Sequence, residues 1–103
     1  PVLLPIEVRC SAADDLALST GYGRESGWIA VPQYPGMPYE HFFDTVEQIM
    51  SDYDGRPHWG KLHGQTADVL RERYPRWDDA MALRDRLDPD RTFRNAYLDR
   101  VFG

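Results

Sequence analysis

The sequence predicts an α+β fold, in which antiparallel strands are covered by helices. Three observations carry that reading. Apolar and polar residues alternate over positions 2–11. A second β-rich stretch, GWIAVPQY at 27–34, follows across a glycine-punctuated connection. Beyond the breaker cluster Pro35-Gly36-Met37-Pro38, the apolar spacing changes from two to that of a helix.

In the first strand Val2, Leu4, Ile6, Val8 and Cys10 fall on one face, and Leu3, Pro5, Glu7, Arg9 and Ser11 on the other. Glu7 and Arg9 therefore stand side by side, roughly 6.5–7 Å apart at strand rise. A carboxylate and a guanidinium so placed either reach one small polar object above the sheet or form a surface charge pair. Spacing alone favours the charge pair. Residues 12–26, with Asp14-Asp15 and Gly21-Tyr22-Gly23, read as a connection. The strand at 27–34 follows, antiparallel to the first, its Pro32 marking an edge position or a bulge near the strand end.

Phe42, Phe43, Val46, Ile49 and Met50 recur at helical spacing over 39–53 and predict an amphipathic helix packed on the sheet. His41, near its start, reads as exposed or as a local cap. Asp54-Gly55 ends the helix, and Arg56-Pro57-His58-Trp59-Gly60-Lys61-Leu62-His63 then crowds two cations, two imidazoles and an indole together. Thr66 is placed to cap a short helix with Ala67, Val69 and Leu70 inward. Pro75 opens another, apolar at Trp77, Ala80, Met81, Leu83 and Leu87, with Asp78-Asp79 at its positive end; Asp88-Pro89-Asp90 stops it. The tail, from Phe93 through Tyr97 and Leu98 to Val101-Phe102, is too apolar to stay in water and is expected to dock, on a domain outside this chain. Two strands alone are marginal in water, so further strands are expected upstream. The opening PVLLPIEVR starts inside a strand, and the chain reads as a fragment.

Composition narrows the function classes. In 103 residues, 12 Lys+Arg against 17 Asp+Glu leave a net charge of −5, which lacks the basic footprint of a nucleic-acid binder. One domain is the expectation. No apolar run approaches the roughly 20 residues of a spanning helix. The single Cys10 forms no internal disulfide, and a cytoplasmic location is expected, with peripheral membrane association left open. No metal is expected: His58 and His63 lack a third ligand, and Asp52-Tyr53-Asp54-Gly55 lacks the remaining oxygen ligands of a calcium loop.

An ordered series of segments spans nearly the whole chain: Pro5-Ile6-Glu7-Val8-Arg9, Asp14-Asp15 with Leu18-Ser19, Arg24-Glu25-Ser26, Ile49-Met50, Gly55-Arg56-Pro57-His58-Trp59-Gly60-Lys61 with His63, Tyr74-Pro75, Leu87-Asp88-Pro89, Phe93-Arg94-Asn95, Tyr97-Leu98 and Val101-Phe102. This series resembles the carboxyl-terminal end of the FAD-dependent aldonolactone oxidases, the gulonolactone and arabinonolactone oxidases among the vanillyl-alcohol-oxidase-like flavoproteins. The resemblance implies that residues 1–103 are the C-terminal part of a substrate or cap domain. Its implied partners are a sugar lactone and an amino-terminal FAD-binding part of the same protein, on which the tail docks.

By position, the family's E-x-R strand and HWxK turn put Glu7, Arg9 and Lys61 in catalytic roles, with Lys61 and His58 toward the cofactor. Oxidation of a 1,4-lactone at its C2 hydroxyl sends a hydride to the flavin while the hydroxyl proton leaves. Cations belong where negative charge develops. Arg9 is expected to fix the hydroxyl, Glu7 to orient Arg9 and bind a sugar hydroxyl, and Lys61 to face the flavin N1/O2 edge or the substrate oxygen. His58 and His63 both stand as alternatives for the proton acceptor. Ala30 and Pro32 replace the polar residues of the related alditol oxidases, which points to a lactone over an open-chain polyol. The reading from another class is a small non-catalytic module that binds a sugar or an anion.

Overall fold

A computed structural model describes residues 4–103. Val2 and Leu3, at the start of the expected alternation, lie outside the described residues. In chain order the elements are β1 (Glu7–Ser11), β2 (Ser26–Ala30), α1 (Glu40–Ser51), α2 (Ala67–Arg73), α3 (Trp77–Leu87) and α4 (Ala96–Phe102). The fold is α+β, as expected.

The strands pair antiparallel with Glu7 opposite Ala30, Arg9 opposite Trp28 and Ser11 opposite Ser26. Both are shorter than the sequence predicts. Pro5 and Pro32, which donate no backbone hydrogen bond, flank the ladder, and pairing stops short of each. One sheet face carries Glu7, Arg9 and Ser11 beside Ser26, Trp28 and Ala30. The Trp28 indole N–H donates to Ser11 Oγ at 2.8 Å and ties the strands on that face. The other face is open: Val8 is 68% and Ile29 47% exposed.

α1 forms where the apolar spacing predicts it, but its packing differs from expectation. None of its residues is buried. Two five-residue strands offer too little surface to cover its stripe, and polar tethers hold the helix instead. Glu47 Oε2 accepts from the Gly64 N–H at 2.8 Å, and Ser51 Oγ accepts from Arg73 Nη2 at 3.0 Å. At the helix end the Gly55 N–H donates to Met50 O at 2.8 Å. A Cβ on Gly55 would stand 2.7 Å from that same oxygen, so the close approach requires glycine. His41 is exposed, and no side chain caps the helix start.

The core lies at the other end of the chain. Leu70 of α2, Tyr74 just after it, Trp77 of α3 and Val101 of α4 are buried together, with Leu18, Trp59, Met81, Tyr97, Leu98 and Phe102 against them. Thr66 occupies the cap position of α2 without a side-chain bond. Val69, expected inward, is 38% exposed, because a helix of seven residues turns a single narrow stripe to the core. α3 starts at Trp77, two residues past Pro75, after a turn in which the Trp77 N–H donates to Tyr74 O at 2.9 Å. Beyond α3, the Asp88 carboxylate accepts from the backbone N–H groups of Thr92 at 2.6 Å and Phe93 at 3.1 Å. Asn95 then caps α4, accepting from the Leu98 N–H at 2.9 Å. The last helix of the tail thus docks within its own chain, through Val101, whereas Phe93 stays 78% exposed.

Candidate functional site

Strand pleat places Glu7 and Arg9 on one face, as their spacing predicts. Arg9 Nε donates to Glu7 Oε1 at 2.7 Å, and Nη2 donates to the same oxygen. The side chains are 72% (Arg9) and 52% (Glu7) exposed. A pair this open contributes about 0–1 kcal/mol to stability, so the fold does not depend on it. Ala30, directly across from Glu7, leaves the space above the strands clear. The result is a guanidinium aimed by a carboxylate, on a face that the rest of the described chain does not cover.

Lys61 and His58 come together in a separate place, the turn after α1. The Lys61 N–H donates to His58 O at 3.0 Å, and the Gly60 N–H donates to His58 Nδ1, also at 3.0 Å. That second bond fixes the imidazole: Nδ1 is the acceptor, so in the neutral ring Nε2 carries the hydrogen. Lys61 is exposed and has no ion-pair partner among the described residues. It borders an open groove of about 400 Å³ lined by Trp59, Gly60, Lys61, Leu62 and Tyr97. Neither Glu7 nor Arg9 lines this groove, so the chain presents its cations at two stations.

Trp59 roots the turn in the core. Its indole N–H donates to Leu18 O at 2.8 Å, and its ring lies 5.1 Å from that of Tyr74 and 5.4 Å from that of Phe102. Arg56 fastens the start of the segment, with Nε donating to Arg73 O at 2.8 Å and Nη1 to Tyr22 O at 2.9 Å. Its guanidinium sits 5.0 Å over the Tyr74 ring. Desolvation, and then repulsion from Arg24, lower its pKa, while the burial of Tyr74 pushes that phenol up to about 12. Of the two cations in the motif, Arg56 is thus structural and Lys61 is left for solvent or a ligand.

The sequence gives Tyr97 no role of its own, only a place in the apolar tail and in the series of matching segments. The Tyr97 hydroxyl donates to Trp59 O at 2.6 Å and stands 3.1 Å from His63 Nε2. His63 Nδ1 is buried without a hydrogen-bond partner. Burial, followed by the Arg100 guanidinium, lowers the His63 pKa against the opposing pull of Glu47. These partners are 34 and 38 residues apart in the chain, and no local pattern announces them.

The D-arabinono-1,4-lactone oxidase family matches residues 1–101. An L-gulono-1,4-lactone dehydrogenase of Mycobacterium tuberculosis is 63% identical over 103 residues, covering 100% of this chain and 24% of that protein. The L-gulonolactone oxidase of Bos taurus is 36% identical over 102 residues, covering 95% of this chain and 23% of the relative. An alditol oxidase of a Streptomyces species is 36% identical over 103 residues, with 95% and 24% covered. The chain spans about a quarter of the length of these curated relatives. No helix among the described residues is long and apolar enough to cross a membrane.

Proposed function

The chain belongs to the D-arabinono-1,4-lactone oxidase family, and from that premise we propose that it forms the C-terminal, substrate-facing part of a flavin-dependent oxidoreductase that acts on an aldono-1,4-lactone at its C2 hydroxyl. The observation that carries the reading is the Glu7–Arg9 pair, a preformed hydrogen-bonding fork on an open strand face that the fold does not need for stability. The donor set suits the ring edge of FAD: Lys61 is an exposed cation without a carboxylate partner among the described residues, in a turn rooted by Trp59. When bound, FAD supplies the hydride acceptor. The rest of the cofactor is held by a flavin-binding part of the same protein, outside this chain.

Arg9 donates to the reacting hydroxyl oxygen, and Glu7, already accepting two bonds from Arg9, keeps the guanidinium pointed there. The second Glu7 oxygen accepts from a neighbouring sugar hydroxyl. Lys61, exposed and without an ion-pair partner among the described residues, would supply positive charge where negative charge develops, from a turn that Trp59 roots in the core. His58 offers an Nε2–H toward the cofactor side, because its Nδ1 is occupied by Gly60. Neither imidazole presents an open lone pair, His58 being bonded at Nδ1 and His63 buried at its own. The hydroxyl proton therefore passes to an acceptor other than these two imidazoles.

The test is Lys61→Met in the full-length protein. Removing one such donor lowers turnover roughly 100- to 1,000-fold, and thermal stability stays at the wild-type value because Lys61 is exposed. Wild-type turnover in K61M would remove Lys61 from the site. Anaerobic mixing of the full-length enzyme with aldono-1,4-lactones and alditols tests the substrate class: bleaching of the flavin by a lactone supports the reading, and bleaching by alditols alone overturns it.

A further inference from the structure

Lys61 sits midway along a five-residue segment whose two ends meet at one hydroxyl from elsewhere in the chain, that of Tyr97. At one end the Trp59 carbonyl accepts from the Tyr97 hydroxyl at 2.6 Å; at the other, His63 Nε2 meets the same hydroxyl at 3.1 Å. A phenol has one hydrogen, and here it is spent on Trp59. The imidazole must then be the donor, with its hydrogen on Nε2 and a bare lone pair on the buried Nδ1. The chain of bonds runs one way: His63 Nε2–H to Tyr97 O–H to Trp59 carbonyl.

The groups packed around the imidazole favour this neutral form. Arg100 of α4 presents its guanidinium 5.3 Å over the Tyr97 ring while donating to Gln65 O at 2.7 Å. Glu47 of α1 is the opposing charge, and it is occupied by the Gly64 N–H. Protonation would place an N–H on a buried nitrogen that has no acceptor. Tyr97 also lines the groove beside Lys61. We propose that His63 and Tyr97 are positioning residues, a clasp that closes residues 59–63 into a ring and fixes where Lys61 stands during the reaction. This rests on the role given above to Lys61.

The clasp acts as a unit, which makes it separable from a direct contact between Tyr97 and substrate. In the full-length flavin-loaded enzyme, Y97F and H63F each lower kcat about 10- to 100-fold with KM little changed, the loss expected when a reacting group is misplaced by about 1 Å. The Y97F/H63F double variant is no worse than the poorer single, because either change opens the same ring. H63Q, whose amide supplies a donor near Nε2, regains most of what H63F loses. Additive losses, a raised KM at unchanged kcat, or an H63Q enzyme as poor as H63F would each overturn the proposal.

A second readout does not depend on turnover. In spectra of the full-length protein labelled with ¹⁵N-histidine, the signal lost in H63Q identifies His63. It should report a neutral ring with hydrogen on Nε2, titrating below the ordinary imidazole value, and should shift in Y97F. A hydrogen on Nδ1, or a signal indifferent to Y97F, overturns the clasp even where H63F does not fold. If K61M keeps wild-type turnover while these spectra behave as expected, the failure belongs to the role of Lys61 and the clasp stands.

Discussion

Gly55 shows how a single residue links the helix end to the turn that follows. Its N–H closes the C-terminus of α1 on Met50 O, and a Cβ there would lie 2.7 Å from that oxygen and 2.9 Å from the Met50 Cβ. Neither neighbour is the free end of a flexible side chain, so the strain cannot be relieved by a rotamer change. Gly55→Ala should destabilise the full-length protein by about 1–3 kcal/mol, the usual cost of overpacking, read as a lower denaturation midpoint. A midpoint equal to wild type would mean that the helix end relaxes freely. Asp54-Gly55 was legible in the sequence as a stop, and so was the shared face of Glu7 and Arg9, because both follow from short-range geometry. The roles of Arg56, His63 and Tyr97 were not, because each is defined by a partner 17 to 38 residues away.

Among the elements, α1, α2 and α3 followed the apolar period while α4 formed in a stretch read only as a docking tail, and the fate of each apolar stripe followed the surface available to cover it. α2, α3 and α4 meet through Leu70, Trp77 and Val101, so their stripes are buried where they touch. The stripe of α1 had been expected on the sheet, but a sheet of two short strands has no room for it, and its tethers are polar. Period is a property of a segment, whereas burial belongs to a pair of segments. The contrast is measurable on one side of the core. Leu70, with no exposed surface, should cost about 2–5 kcal/mol on truncation to Ala. Phe93→Ala, at a residue 78% exposed, should stay within about 0.5 kcal/mol in the isolated chain. Equal losses from the two variants by chemical denaturation would show that the hydrophobic cluster is not where the folding energy resides.

At the scale of the molecule, the chain is unevenly finished. Its helical end has an aromatic cluster in which the rings of Trp59, Tyr74, Trp77 and Phe102 meet at tilted angles, and part-buried backbone carbonyls there are served by Arg56 and Arg100. Its sheet end is a single antiparallel pair with Ile6, Val8 and Ile29 turned outward at 53%, 68% and 47% exposure. An isolated pair of strands is marginal in water, and local stability follows the number of buried apolar contacts around each backbone hydrogen bond. Amide hydrogen exchange on the 103-residue chain should therefore divide it in two. Amides of α2, α3 and α4 exchange slowly, while those of β1 and β2 exchange at close to the rate of an open chain. In the full-length protein, about four times longer in the curated relatives, the same strand amides should become protected, because the proposed function requires the Glu7–Arg9 face to be built into a larger site. Strands that are already protected in the 103-residue chain would mean that the pair is self-sufficient, and would favour a free-standing binding module over a piece of an oxidoreductase.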